Sequence, residues 1–501
     1  MRNFKTVLLL MPMLSTVLAG CNTGPGPKQP NITMPAAWSG PVATKVAAGV
    51  DAWPAPDWWR NFQSPELDTL IAEAKTNNLD ITAAAARVVQ AESQLRVTKA
   101  SLWPLITLGG DLRQRGPAVP PSLVSQSLAS DLNGNSGGSN TSQRSSAGAS
   151  VSAQYELDFW GKNQDNVSAA QSQLQANQYD RETVALTVTS GVATTYLQIL
   201  ALRDRIAVAQ QTLDSAQEVE RVVEVKAKNG AVSPLDLAQQ RSQVAAEQAA
   251  IPPLQLQEKQ SLNALALLLG RNPEGFQVKG QSLNGIALPT VGAGLPSGLL
   301  TRRPDIKEAE ANLEAANANL NAARAAMLPS IDLSASLNLE ALAVSFASFG
   351  AGAAYSAAAS LAQPIFDAGQ LRAQRDVSNG KQIELIQSYK TSILHGLSDV
   401  ENALASIDSL RDQRDFLDAQ RQQAATALAI SQAQYKAGSI ELLAVLDAQR
   451  TLFQAQDQET QTIQAQFQAA VSLYKALGGG WSASSVMPAS WIENGQLKTA
   501  D

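Results

Sequence analysis

The chain has 501 residues, a net charge of −6, and 45% apolar but only 5% aromatic residues. Its single cysteine, Cys21, and single histidine, His395, leave no intrachain disulfide, no clustered thiol or imidazole metal site and no Ser-His-Asp centre. The acidic balance without a basic stripe points away from nucleic acid. No phosphate-cradling loop and no marked carboxylate pair suggest an enzyme.

In chain order, Arg2 and Lys5 precede an apolar run from Val7 to Leu18, followed by Ala19-Gly20-Cys21-Asn22. This is the layout of a secretory signal peptide, too short to span a membrane. It resembles a bacterial lipoprotein signal. That resemblance implies removal of residues 1–20 and a lipidated Cys21 as the mature N-terminus, the covalent lipid being the only non-protein group expected. A signal peptide followed by an incidental cysteine is the plainer alternative. By the same resemblance, Asn22 in place of Asp points to the outer membrane. Losing Arg2 and Lys5 takes the net charge to −8.

A helix ends at Ser101-Leu102-Trp103-Pro104. Ile106, Leu108 and Leu112 then alternate with Thr107, Asp111 and Arg113 as a first strand. Residues 130–150, rich in Ser, Gly and Asn, read as an enlarged flexible loop within a stretch from Pro117 to Ser150 that is expected to be dispensable. Val151, Ala153, Tyr155, Leu157 and Phe159 alternate with polar residues as a second strand. Gly161 opens a helix expected over Lys162 to Asn229, about 100 Å long if continuous. Within it, Val188, Val192, Thr195, Ile199, Leu202, Ile206, Ala209, Leu213 and Ala216 keep heptad spacing. Gly230 marks a turn into a returning helix, Leu235 to Leu269, which Pro252-Pro253 is expected to split in two.

The pattern then recurs. Ala326-Met327-Leu328-Pro329 ends a helix, and Ile331, Leu333, Ala335, Leu337 and Leu339 alternate with polar residues. A weaker, Ala-rich strand is expected near Tyr355 to Ile365. Gly369 opens a helix from Gln370 to Ala437, with Ile393, Leu397, Val400, Leu404 and Ile407 in heptads and His395 on its surface. Gly438 turns it into Leu442 to Leu477. Gly161 and Gly369, like Gly230 and Gly438, are 208 residues apart, which indicates a duplication. The expected division is a signal peptide (1–20), an N-terminal segment with the first helices (21–100), a first repeat (101–298), a second repeat (299–480) and a tail (481–501).

The strands read as a one-sided antiparallel sheet, and in an exported lipoprotein they also match an outer-membrane barrel. Four strands are too few to close a barrel, for which about eight are needed. Open edges are not tolerated in lipid, so membrane-spanning strands would require several chains in one barrel.

The chain resembles the TolC/OprM-type outer-membrane factor family. The similarity runs through Trp58-Trp59-Arg60-Asn61-Phe62, Asn77-Asn78-Leu79-Asp80-Ile81, Leu295-Pro296-Ser297-Gly298, Arg302-Arg303-Pro304-Asp305-Ile306, Tyr435-Lys436-Ala437-Gly438 and Leu446-Asp447-Ala448-Gln449-Arg450. The Arg-Arg-Pro-Asp stretch belongs to the lipidated efflux branch. The resemblance implies a mainly α chain with a membrane β-barrel portion: a long coiled-coil barrel of helices and four strands per chain, closed as a twelve-stranded barrel by a homotrimer. It implies an exit duct anchored in outer-membrane lipid and reaching into the periplasm, with a periplasmic adaptor and an inner-membrane transporter as partners. A type I protein-secretion duct and a non-conducting structural envelope lipoprotein are the alternatives.

The same resemblance implies site residues. Gly230, Ala231, Gly438 and Ser439 would touch the adaptor. Leu443 would be an apolar gate residue and Asp447 a ring carboxylate. Tyr435 and Asp236 would form a tyrosine–aspartate latch, whose loss in Tyr435→Phe should raise conductance. The latch's basic residue is replaced by Ile440, and a second acid by Ala444. Arg302 and Arg303 before Pro304, with Asp305 at the helix start, fit a structural role.

Overall fold

The computed structural model describes residues 33–39, 54–115, 144–294, 296–345, 348–481, 492–493 and 496–497. Cys21, the signal segment and residues 117–143 of the expected loop lie outside the described residues. The helices are α1 (Pro65–Asn77), α2 (Leu79–Ala100), α3 (Lys162–Lys228), α4 (Pro234–Leu268), α5 (Leu299–Arg302), α6 (Pro304–Ala325), α7 (Gln370–Ala437) and α8 (Leu442–Ala476). The strands of the main sheet are β1 (Leu105–Arg115), β2 (Arg144–Glu156), β3 (Ser330–Ser345) and β4 (Ser348–Ala362), and a short β5–β6 ladder joins Ile492–Glu493 to Gln496–Leu497. The chain is mainly helical. It divides into two compact units, to both of which α3 and α7 contribute.

The first unit comprises residues 93–171 and 314–383 among those described. Its sheet is antiparallel in the order β1-β2-β3-β4, which leaves β1 and β4 as edges. Register fixes what each face carries, because directly paired residues point the same way. One cross-strand row is Leu108–Val151–Leu337–Tyr355; the next is Thr107–Ser152–Ser336–Ser356. The polar row is tied by hydroxyl contacts of 2.6 Å between Thr107 and Ser152 and 2.9 Å between Ser336 and Ser356. The apolar row is open to solvent in the single chain, with Leu108 81% and Tyr355 88% exposed.

Two expectations for this sheet need correction. Arg144 to Ser150 is strand, not loop: it pairs with β1 on one side, and from Ser145 onward with β3 on the other. Backbone pairing overrides a Ser/Gly composition here, and a Cβ on Gly148 would stand 2.7 Å from the Asp111 carboxylate, which would have to move aside. The fourth strand also lies earlier than Tyr355 to Ile365, ending at Ala362.

The second unit comprises, among the described residues, those within 29–92, 172–313 and 384–501. Its core gathers Trp58, Phe62, Leu67 and Ile71 with the heptad face of α3 (Val188, Val192, Ile199), the end of α4 (Leu262, Leu265) and the end of α8 (Phe467, Val471, Tyr474). Ser64 caps α1, its hydroxyl accepting from the Leu67 amide at 3.3 Å. Asn78 caps α2 through its side-chain oxygen, and its amide nitrogen donates to the Leu268 carbonyl at 2.8 Å.

The expected break at Pro252-Pro253 is absent: α4 is one helix. An interior proline costs about 3 kcal/mol or more. Buried residues lie on both sides of the pair: Val244 packs against Leu213 and Ala216, and Leu254 against Leu202 and Ala209. Packing along α3 thus offsets the lost hydrogen bonds. The helix ends keep the 208-residue offset: Lys162 and Gln370, Pro234 and Leu442, Leu268 and Ala476.

Candidate functional site at the paired hairpin tips

Each long helix turns back at a glycine in the left-handed region, Gly230 at φ +70° and Gly438 at φ +78°. A side chain is strained there, and the turn closes the orphan carbonyls behind it. The Ala231 amide donates to the Lys226 carbonyl at 2.8 Å, and the Ser439 amide to the Gln434 carbonyl at 2.9 Å. Gly230, Ala231, Gly438 and Ser439 are all exposed.

The returning helices start differently. Ser233 and Asp236 form a capping box: the Ser233 hydroxyl accepts from the Asp236 amide at 3.2 Å, and the Asp236 carboxylate accepts from the Ser233 amide at 2.9 Å. At the 208-residue offset the second tip has Glu441 and Ala444, and no side-chain cap. The acid missing at Ala444 therefore survives in the first tip alone, where its carboxylate serves a helix start.

Tyr435 is buried in a tip cluster with Val219, Val223, Leu442 and Val445, and Ile440 packs against the same cluster. Its hydroxyl has no hydrogen-bond partner, so the expected phenol-to-carboxylate bond to Asp236 is not made in this structure. Asp236 is near enough to act through its field. Burial first, and the Asp236 charge second, hold the Tyr435 phenol above its ordinary pKa. The tyrosine's partner is Lys226, whose ammonium donates to the Tyr435 carbonyl at 2.5 Å and lies 4.2 Å from the ring centroid. Sequence reading missed Lys226. A basic residue in the last turn of α3 was visible, but Lys228 fitted that role equally and pairs with Glu224 on its own helix at 3.2 Å.

Leu443 is 56% exposed, an apolar side chain presented at the tip beside buried Leu442. Its counterpart Leu235 is exposed likewise. The Asp447 carboxylate is exposed and accepts from Arg450 at 2.9 Å; an exposed pair of this kind contributes little stability.

Arg302, Arg303, Pro304 and Asp305 lie in a separate network. Pro304 is the first residue of α6. The Arg303 guanidinium forks onto Asp305 at 2.7 and 3.0 Å, donates to Asp399 of α7 at 3.0 Å and to the Ala476 carbonyl ending α8 at 2.9 Å. The Arg302 carbonyl accepts from the Trp481 indole at 2.6 Å. His395 is exposed on α7.

Glu308, one turn beyond Asp305, is pushed up to about 7 by burial, with Asp180 and Asp305 adding to the shift and Arg87 opposing it. The folded chain therefore holds this proton where the unfolded chain has lost it. Stability from this group is present below about pH 4.5 and is lost as pH rises through about 7. Glu308→Gln should flatten that fall and be more stable than wild type at pH 8 but not at pH 4. Thermal unfolding at both pH values checks it; an unchanged pH profile in the variant would contradict the assignment.

Comparison with known proteins places these features in context. The family model described as outer membrane efflux protein matches residues 70–271 and 295–479. The chain is 40% identical to a pyoverdine export outer membrane protein, OpmQ, of Pseudomonas putida, over 95% of this chain and 98% of that one. It is 31% identical to the cation efflux system protein CusC of Escherichia coli, over 94% and 98% of the two chains. The solved open state of the Neisseria gonorrhoeae MtrE outer membrane channel superposes with a TM-score of 0.77 at 26% identity, covering 92% of this chain and 98% of that one.

Proposed function

Because the chain belongs to the outer membrane efflux protein family and is the outer-membrane channel of an efflux system reaching into the periplasm, we propose that three copies share one twelve-stranded barrel, that their helices continue it as a tunnel, and that the hairpin tips close it. The observation that carries this reading is the sheet. Register gives it one apolar and one polar face, and β1 and β4 leave two edges. Such a sheet meets lipid only when neighbouring copies pair its edges.

In this reading the periplasmic adaptor docks on Gly230, Ala231, Gly438 and Ser439, and an inner-membrane transporter supplies the energy. Leu443 and Asp447 line the constriction, and Tyr435 with the Asp236 hairpin holds it shut. Transport is passive through this chain, with no reaction catalysed and no cofactor beyond a lipid on Cys21. The repeated helix ends support a chain organised as two repeats, 101–298 and 299–480, after the lipidated N-terminal segment. The Arg302–Asp305 stretch is structural.

Pyoverdine export, the activity named for the relative at 40% identity, makes pyoverdine the first cargo to test. A strain lacking this chain, tested with pyoverdine and a panel of antibiotics and metals, should retain at least one of them and recover its export on complementation. Unchanged export of every compound in the deletion strain would contradict the duct. Mass spectrometry of the purified N-terminus should find acyl chains on Cys21; an unmodified cysteine there would contradict the anchor.

A further inference from the structure

We infer that Lys226 is the cation that fastens the two hairpin tips of each chain to one another, and that it works on the ring and carbonyl of Tyr435 rather than on its hydroxyl. The inference rests on the reading of the tips as the gate.

Four observations carry it. First, the Lys226 ammonium bridges the two hairpins, standing at the end of α3 and touching the end of α7 by two contacts, 2.5 Å to the Tyr435 carbonyl and 4.2 Å to the ring centroid. Second, that carbonyl is in the last turn of α7, where carbonyls lack intrahelical partners and the helix end is negative, so a cation is favoured there. The Gly438 amide, 3.1 Å away, is its other donor. Third, the Tyr435 hydroxyl is buried without a partner, so it holds nothing across the hairpins, whereas the ring offers its face to the ammonium. Fourth, the neighbouring candidates are otherwise engaged. Ile440 is packed in the apolar cluster, Asp236 closes its own capping box, and Lys436 reaches Glu218 only at 3.8 Å.

The clamp joins one repeat to the other at the far end of both long helices. Removing it takes away the polar tie between the two tips and leaves only the apolar contacts of Val219 and Val223 with Tyr435, Leu442 and Val445 to hold them together. The clamp therefore biases the closed arrangement without being part of the constriction itself.

The test is conductance of the full-length protein in planar bilayers for six variants. Lys226→Met, which keeps an apolar stem and removes the charge, should raise the resting conductance by about tenfold. Lys226→Arg should stay near wild type. Tyr435→Phe should also stay near wild type, because ring and carbonyl remain, while Tyr435→Leu, which loses the ring but keeps the carbonyl, should open the pore less than Lys226→Met does. The double variant Lys226→Met with Tyr435→Leu should open it no further than the larger single, since both remove one interaction. Leu443→Ala serves as the independent probe of the gate. If Leu443→Ala raises conductance and Lys226→Met does not, the clamp is wrong and the gate stands. If Tyr435→Phe opens the pore as far as Lys226→Met, the hydroxyl carries the latch and the inference is overturned. If Leu443→Ala, Lys226→Met and Tyr435→Leu all leave wild-type conductance, the tips are not the gate and the clamp falls with that reading.

Discussion

Trp58→Ala should be the most destabilising single substitution outside the turns, at about 3–5 kcal/mol. Trp58 is 1% exposed and stacks on Tyr474 of α8 at 4.9 Å between ring centroids, with Trp59 and Phe62 edge-on at 5.9 and 6.2 Å. Its short helical turn, Trp58–Phe62, precedes α1 and brings three aromatic residues onto the middle of α3 and the ends of α4 and α8. Truncation leaves a cavity the size of an indole among helices whose spacing is set elsewhere, so collapse is limited. Trp58→Phe should lose less than half as much. Large assemblies unfold irreversibly, so the comparison is the apparent unfolding temperature in detergent at one scan rate. A Trp58→Ala protein that melts with wild type would show that this aromatic cluster is peripheral to the fold.

Arg303→Ala should cost about 2–4 kcal/mol, because it leaves Asp305, Asp399 and the Ala476 carbonyl without their shared donor. The partly exposed Asp399 can recover water, which keeps the figure below that of a fully buried pair. Arg303→Lys keeps the charge but not the planar fork, so it should recover only part of the loss. Asp399→Asn should be milder than either. Unfolding in detergent reads all three. Equal stability of Arg303→Ala and wild type would reduce the motif to a helix start and nothing more.

What the sequence made legible was whatever local chemistry writes plainly. A glycine between two long heptad patterns shows the tip, because only a left-handed residue closes that turn cheaply. The alternation around Leu108 and Leu337 shows the strands, and the 208-residue spacing of the glycines shows that the helical hairpins are duplicated. Other features depended on partners far away in the chain. The Ser/Gly-rich Arg144 to Ser150 became strand because β1 and β3 offered backbone on both sides. Pro252-Pro253 stayed helical because α3 held both flanks. The reach of Arg303 to Asp399 and Ala476 spans 96 and 173 residues, and no spacing rule encodes it.

The tip divides the same way. Leu443, Asp447 and Tyr435 were singled out by motif, and the first two are exposed in the single chain. The Tyr435–Asp236 bond was expected from residue types, but a serine three residues upstream competes for the aspartate and takes it. Lys226 was invisible because a lysine near a helix end is ordinary, and only the packing of α3 against α7 turns this one toward Tyr435.

Three copies of this chain forming one conducting pore is the central claim, and single-channel recording in planar bilayers tests it most directly, with the copy number of the recorded species fixed by native mass spectrometry. Discrete conductance steps should come from the three-chain species and from no smaller one. Steps carried by monomers, or three-chain species that insert and never conduct even with Leu443→Ala, would contradict it.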